Sequence, residues 1–167
     1  LQRAKERARR YGVSYQLVVG DAENLPFKDK AFKIAFVHDG LHHLLDAYKG
    51  VREMMRVASK AVAIAEPADA PLTRLAVKLG FSSDYEEGPG NFVYRLHPRR
   101  LAQVFAECGA RRWVFKQHLI YYQPWTFKIY KFFEPKPLFW LFKVGFYLSN
   151  LLFGRWGNSL KAVAWKE

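Results

Sequence analysis

The sequence predicts an α/β fold in which parallel strands alternate with helices and an antiparallel pair of strands completes the sheet. Three β-rich runs lie in the first half, and a segment with helical spacing joins the second run to the third. Strand, helix and strand with short links favour parallel strands with right-handed crossovers. Half of the 167 residues are apolar and 17% are aromatic, so the composition fits one globular domain.

The N-terminal half supplies a helix and then the elements of the parallel sheet. Residues 2–10 are rich in charged helix formers, and Gly12 stands where a helix C-cap would lie. Residues 15–19 and 33–37 are β-rich runs. Apolar residues then recur at helical spacing, at Val51, Met54, Met55 and Ala58. Residues 61–65 follow as a buried strand.

The C-terminal half predicts one more helix and the antiparallel pair. Pro98 suits a first helical turn, and Gly109 suits the end of that helix. One apolar face is formed by Leu101, Val104, Phe105 and Cys108. The β-rich runs 112–122 and 160–165 can pair as antiparallel edge strands. Because Cys108 is the single cysteine, an internal disulfide and a cysteine-rich zinc site are both excluded.

The charge balance favours an anionic partner. The chain has 27 Lys and Arg against 15 Asp and Glu, a formal net charge of +12. Such an excess suits a lipid headgroup, a nucleic acid or an acidic substrate. A basic surface that only keeps the protein soluble is the alternative.

Two motifs resemble a known family. The octet Gly-Asp-Ala-Glu-Asn-Leu-Pro-Phe occupies residues 20–27, and Leu-His-His-Leu occupies residues 41–44. Together they resemble the third and fourth strand ends of class I S-adenosylmethionine-dependent methyltransferases, of the small-molecule type that acts on ubiquinone and menaquinone precursors. The resemblance implies a Rossmann-like methyltransferase sheet of parallel strands with a C-terminal antiparallel pair, and S-adenosylmethionine as the cofactor. It covers residues 1 to about 123 and 158–167.

The resemblance also implies which residues bind the cofactor. Asp21 would accept a hydrogen bond from the adenine amino group, and the backbone N–H of Ala22 would donate to the neighbouring ring nitrogen. His38 and Leu41, at the end of the fourth strand, complete the implied cofactor pocket. Standing alone, an aspartate after glycine is more often a simple turn residue.

The glycine turn that this family carries on its first strand is absent from the sequence. No Gly-x-Gly precedes Asp21, since the earlier glycines are Gly12 and Gly20. We therefore expect residues 1–167 to be a partial methyltransferase domain, an inactive fragment whose first two strands are missing. Unpaired strand edges would leave such a piece unstable by itself.

Three histidines and a carboxylate follow the strand 33–37, namely His38, Asp39, His42 and His43. Ligands of open parallel sheets bind beyond these strand ends. Asp39 and His43 are the catalytic candidates, with His43 contacting the substrate. Histidines that pack at a helix start with satisfied ring nitrogens are an equal alternative. No metal site is expected, because His42 and His43 point different ways and no third ligand has a supportive spacing.

Residues 124–157 form an apolar, aromatic-rich insertion between the last two strands. They hold 12 of the 28 aromatic residues, and five basic residues against the single acid Glu134. The nearly continuous apolar run 138–153 would reach roughly 24 Å as a helix, short of the roughly 30 Å hydrocarbon core of a bilayer. The pattern predicts an interfacial helix or an apolar lid. Packing on its own domain or on a dimer partner is the alternative.

Two classes of function fit these observations. The first is S-adenosylmethionine-dependent methyl transfer to a small, hydrophobic or membrane-associated molecule, such as a lipid or a quinone. It implies a cytoplasmic protein, peripheral at the inner membrane face. The second is a non-catalytic binding or scaffold module with a degenerate methyltransferase fold. Nucleic acid is disfavoured, because the aromatic residues cluster in an apolar run instead of interleaving as base-stacking positions.

Overall fold

The computed structural model describes residues 2–79, 94–120 and 136–167. Its helices are α1 (Gln2–Tyr11), α2 (Ala47–Val57), α3 (Pro71–Lys78), α4 (Pro98–Glu107) and α5 (Lys136–Phe153). Its strands are β1 (Phe32–His38), β2 (Ala58–Pro67), β3 (Arg112–His118) and β4 (Ser159–Trp165). Short 3-10 turns cover Leu41–His43 and Gly154–Trp156.

The described strands form one mixed sheet in the order β1-β2-β4-β3. Strands β1 and β2 are parallel, with His38 beside Ala65. Strand β4 runs antiparallel to both β2 and β3. The predicted α/β class, with parallel strands and a C-terminal antiparallel pair, is confirmed.

The strand expected at residues 15–19 is wrong, because residues 13–20 have no regular secondary structure. Within the described ranges no strand runs beside this segment, so its backbone groups have no ladder partner. The segment is held instead by the Tyr15 hydroxyl, which donates to the carbonyl of Ala4 in α1.

The core lies on one face of the sheet, where α2 and α4 pack. It is built from Val51 and Met55 of α2, Leu101 and Phe105 of α4, and Val62, Ile64 and Leu160 of the strands. Strand β1 alternates accordingly: Ala35 and Val37 pack against the core, while Ile34 and Phe36 are exposed.

The ends of α4 follow the predicted signals, whereas other element boundaries differ from the prediction. Pro98 lies in the first turn of α4, and Gly109, with φ of +75°, follows its end. Ala58, predicted as helical, is the first residue of β2, which therefore begins where α2 stops. Strand β3 ends at His118, earlier than the predicted run 112–122. The first part of the predicted insertion, residues 124–135, lies outside the described residues.

Candidate functional site

The carboxyl ends of β1 and β2 lie side by side and bring together the predicted polar residues. His38 pairs with Ala65 in the parallel register. The next residue, Asp39, donates its backbone N–H to the Ala65 carbonyl at 3.0 Å and adopts a positive φ of 49°. This left-handed residue turns the chain out of the sheet and into the Leu41–His43 turn.

The Glu66 carboxylate, at the end of β2, organises that turn. Its Oε1 accepts from the backbone N–H groups of Gly40 at 2.7 Å and Leu41 at 2.9 Å. Its Oε2 lies 3.3 Å from the backbone N of His42 and 2.7 Å from Nδ1 of the same residue. One carboxylate thus binds the start of the Leu41–His43 turn and orients a histidine ring.

Glu66 stays ionised although it is buried. Its side chain is fully buried, and burial alone would raise the pKa of the carboxyl. The hydrogen bonds from His42, Gly40 and Leu41 outweigh burial and lower that pKa below its ordinary value. Sequence reasoning missed this residue as part of the site. Its signal was an acid that directly ends a buried apolar strand, a position where an unpaired charge would be costly.

The two predicted catalytic residues lie at the exposed edge of this turn. His43 is exposed, and its ring centroid lies 3.9 Å from that of His42. Asp39 is also exposed, with Oδ2 at 3.3 Å from His38 Nδ1. By contrast, His42 is only 5% exposed, so the histidine that the protein itself fixes is His42.

Three groups here come close enough to suggest a cation. Ligand atoms of Asp39, His42 and Glu66 all lie within 4.8 Å of one another. However, both Glu66 oxygens already accept N–H groups, and the 2.7 Å between Oε2 and His42 Nδ1 is a hydrogen-bond distance. Hydrogen bonding accounts for the cluster, and a cation would have to displace His42 from Glu66.

The predicted adenine-binding residues lie on an exposed loop. Oδ1 of Asp21 accepts the Glu23 backbone N–H at 2.8 Å, which makes a local turn, and the Asp21 carbonyl accepts Asn24 N–H at 3.1 Å. Within the described residues, Asp21 Oδ2 and the Ala22 N–H have no hydrogen-bond partner. An acceptor and a donor therefore face solvent next to each other, which fits the edge of an adenine ring.

This loop is fastened to α2 by a charged pair. Arg56 donates to the carbonyls of Phe27 at 2.7 Å and Leu25 at 2.9 Å. Glu53 accepts the Leu25 N–H at 2.8 Å and pairs with Arg56 at 2.8 Å. The Arg56 hydrogen bond, ahead of the opposing effect of burial, lowers the pKa of Glu53. The spacing alone predicts a surface pair between these two residues, whereas the structure shows that they also anchor the loop.

Two further contacts place the loop beside the Leu41–His43 turn. Glu23 accepts the Asp46 N–H at 2.9 Å through Oε1. Gly50 of α2 makes room for the turn, because a Cβ there would lie 2.6 Å from the Leu44 side chain and 2.9 Å from the Leu41 side chain, and it also lies next to the Ala22 carbonyl. Leu41, which the resemblance placed in the cofactor pocket, is 2% exposed and has its side chain in the core.

Parts of this sequence are similar to known methyltransferases. Residues 1–64 match a family model described as a methyltransferase domain. The chain is 32% identical over 112 residues to a demethylmenaquinone methyltransferase of Desulfitobacterium hafniense, which is 56% of this chain and 44% of the relative. It is 44% identical over 46 residues to norajmaline N-methyltransferase of Rauvolfia serpentina, which is 28% of this chain and 16% of the relative. The chain thus spans less than half the length of these curated relatives.

Solved structures share the fold at low sequence identity. The YcgJ protein of Bacillus subtilis superposes with a TM-score of 0.63 at 20% identity, covering 99% of this chain and 77% of the other. An S-adenosylmethionine-dependent methyltransferase of Thermotoga maritima gives a TM-score of 0.60 at 18% identity, covering 99% and 70%. Residues 1–64 thus match a methyltransferase domain, and the described residues share the fold of solved S-adenosylmethionine-dependent methyltransferases.

Proposed function

We propose that this protein binds S-adenosylmethionine and transfers its methyl group to a small hydrophobic acceptor. The observation that carries the proposal is the pair of adjacent groups on the 20–27 loop, the Asp21 carboxylate and the Ala22 N–H. Both face solvent, while Arg56 and Glu53 fix the backbone that presents them. A loop that is held in place before the ligand arrives loses little conformational freedom on binding.

The cofactor would supply an electrophilic methyl group, so the protein's task is to align the acceptor and exclude water. Asp21 and Ala22 would hold the adenine end. The exposed edge of β1, with His38 and Asp39, would lie along the cofactor. Asp39 and His43 are the groups that can contact the acceptor, and either can accept a proton from a hydroxyl or amine.

Glu66 and His42 have a positioning role in this account. Glu66 holds the backbone of Gly40, Leu41 and His42, and therefore sets where Asp39 and His43 project. The buried carboxylate also keeps a proton on His42 Nδ1, because an ionised acid at 2.7 Å accepts that N–H.

We assign the acceptor to a lipid-like or quinone-like class. One curated relative is named for demethylmenaquinone, and residues 124–157 concentrate aromatic and apolar side chains. These features support peripheral membrane contact by that segment and a cytoplasmic protein at the inner membrane face.

The test is transfer of label from methyl-labelled S-adenosylmethionine into organic-extractable acceptors. The full-length protein is incubated with a panel of quinols and lipids, and with histamine and a short peptide as water-soluble controls. We expect label in the organic phase, and a lower kcat for Asp39→Asn and His43→Gln than for the surface variant Lys28→Gln. Label in the water-soluble compounds alone would contradict the acceptor class. A folded protein that binds no cofactor would instead support the scaffold function.

A further inference from the structure

Helix α5 presents an apolar face to solvent. The segment Pro137–Trp156 has 20 residues and a mean hydropathy of 1.2, and is long and apolar enough by length and composition to cross a membrane. Only 6% of it is buried, unlike the core helix of a globular domain. The exposed face consists of large side chains, namely Trp140, Leu141, Tyr147, Leu148, Leu151 and Leu152, each 48–69% exposed. A contiguous apolar face of this kind marks an interaction surface.

The C-terminal end of α5 is clamped to the protein by two asparagines. Asn150 accepts the Leu119 N–H at 2.7 Å and donates to the Leu119 carbonyl at 3.3 Å. Asn158 repeats the pattern with Ile120, at 2.7 and 2.9 Å. Each asparagine side chain thus pairs with the backbone of the segment that follows β3, as the backbone of a neighbouring strand would. The turn between the two asparagines packs closely against the end of β3, since a Cβ on Gly157 would lie 2.1 Å from the His118 carbonyl carbon.

The hydrogen bonds of Asn150 limit the length of α5 that could enter a bilayer. Because Asn150 is hydrogen-bonded to the segment that follows β3, the part of α5 before this contact ends at Ser149. Roughly 13 residues from Pro137 onwards then span about 20 Å at 1.5 Å per residue. A hydrocarbon core is about 30 Å thick. The helix therefore fits the interface, where its apolar face would meet the acyl chains.

The surface next to the clamp is basic. Lys116 and Lys161 are exposed and stand directly opposite each other in the β3–β4 register. Like charges in this position repel. After burial, these two lysines are the causes that lower the pKa of His118. Arg155 is also exposed, at the end of α5, with its guanidinium 4.1 Å from the Trp156 ring centroid. Among the described residues, Lys116, Lys161 and Arg155 form no salt bridge with an acid.

We propose that α5 lies in the surface of an anionic lipid bilayer, with Trp140, Leu148 and Leu151 inserted and with Lys116 and Lys161 on the headgroup phosphates. The proposal deepens the peripheral contact named in the proposed function, and adds the lipid charge and the depth of the helix. Negative headgroups would relieve the repulsion between the two lysines, so charge and apolar burial act together. The clamp keeps the sheet at a fixed distance from the membrane, close to the acceptor source.

The test is co-sedimentation of the full-length protein with vesicles, without S-adenosylmethionine. One set is phosphatidylcholine alone, and the other is phosphatidylcholine mixed with phosphatidylglycerol. We expect binding to the anionic set that weakens with added salt. The double variant Trp140→Gln/Leu151→Gln should bind roughly tenfold or more weakly, because two large apolar side chains no longer enter the bilayer. Leu75→Gln, which changes an exposed leucine of α3, should bind like the wild type.

A second pair of variants isolates the charge. Lys116→Gln/Lys161→Gln should lose the preference for anionic over neutral vesicles, whereas Lys5→Gln/Lys33→Gln should keep it. Circular dichroism confirms that each variant is folded. Equal binding to both vesicle types would overturn the assignment of anionic lipid, and resistance to alkaline carbonate extraction would overturn the interfacial depth. Absence of vesicle binding, or a dimer that protects Trp140 from quenching without lipid, would overturn the proposal as a whole. Cofactor binding is measured separately, so either idea can fail alone.

Discussion

Replacing Glu66 by glutamine should destabilise the protein by about 2–4 kcal/mol. The amide oxygen can keep two of the four N–H contacts, those from Gly40 and Leu41. The amide NH2 would then face the N–H groups of His42, and two donors lose a charged acceptor. Hydrogen bonds to charged groups contribute about 1.5–3 kcal/mol each. The contact between Glu66 and the His42 backbone N, at 3.3 Å, is the weaker of the two that are lost, and a neutral amide costs less to bury than a carboxylate. The total destabilisation therefore falls below about 6 kcal/mol.

The assay is equilibrium unfolding in urea, with Glu107→Gln as the matched control. Glu107 also pairs with a base, Arg52 at 2.7 Å, but its side chain is 58% exposed. Exposed pairs contribute at most about 1 kcal/mol, so the control should change the free energy of unfolding by less than that. A Glu66→Gln change no larger than the control would refute the inference that this carboxylate holds the turn.

Three other predictions follow from the same contacts. Stability should fall with decreasing pH, because folding lowers the pKa of Glu66. The contribution of Glu66 to stability is complete above about pH 4.5 and is lost as the pH falls through the folded-state pKa. Urea unfolding of the wild type should show this loss of stability in acid, and Glu66→Gln should reduce it. Arg56→Gln should weaken S-adenosylmethionine binding by roughly tenfold, because the 20–27 loop loses its two carbonyl contacts with Arg56. Arg52→Gln should leave the affinity unchanged. Equal affinities of the two variants in calorimetry would count against the role of Arg56 in holding the loop. Asn150→Ala should cost about 1–3 kcal/mol and make α5 more accessible to protease, and unchanged cleavage would argue against the clamp.

The parts of the fold that local chemistry determines were predictable from the sequence. Apolar spacing located α2 and α4, and Pro98 and Gly109 marked the ends of α4. The antiparallel pairing of the last two strands was also predicted, but the interior position of β4, between β2 and β3, was not. The run 15–19 failed as a strand because a strand depends on a partner, and β-rich composition cannot supply one.

Motifs in the sequence indicated the candidate site residues, but not the contacts that hold them in place. Asp21, Ala22, His38, Asp39 and His43 were placed at the strand ends by their motifs. Glu66 was not assigned a role, because its partners lie 24 to 26 residues earlier in the chain and only the fold brings them together. The same holds for Arg56, whose carbonyl partners lie 29 and 31 residues away. The local sequence can indicate that a buried polar group needs partners, but it does not show which distant residues supply them.

The length of the apolar helix was underestimated for a related reason. The run 138–153 counts sixteen residues, whereas α5 has 18 and the apolar segment continues to Trp156. Lys136 and Pro137 are polar or helix-breaking in most contexts but are tolerated in a first helical turn. Helix ends are set by backbone geometry, so composition alone placed the N-terminal end of α5 too far inside, whereas both the run and the helix end at Phe153.

Titration calorimetry of S-adenosylmethionine and S-adenosylhomocysteine into the full-length protein tests the central claim most directly. We expect micromolar binding of both ligands, reduced at least about tenfold in Asp21→Ala by the loss of the adenine acceptor and unchanged in Glu107→Ala. Folded wild-type protein that binds neither ligand, or an Asp21→Ala variant that binds as tightly as the wild type, would contradict the assignment of the cofactor site.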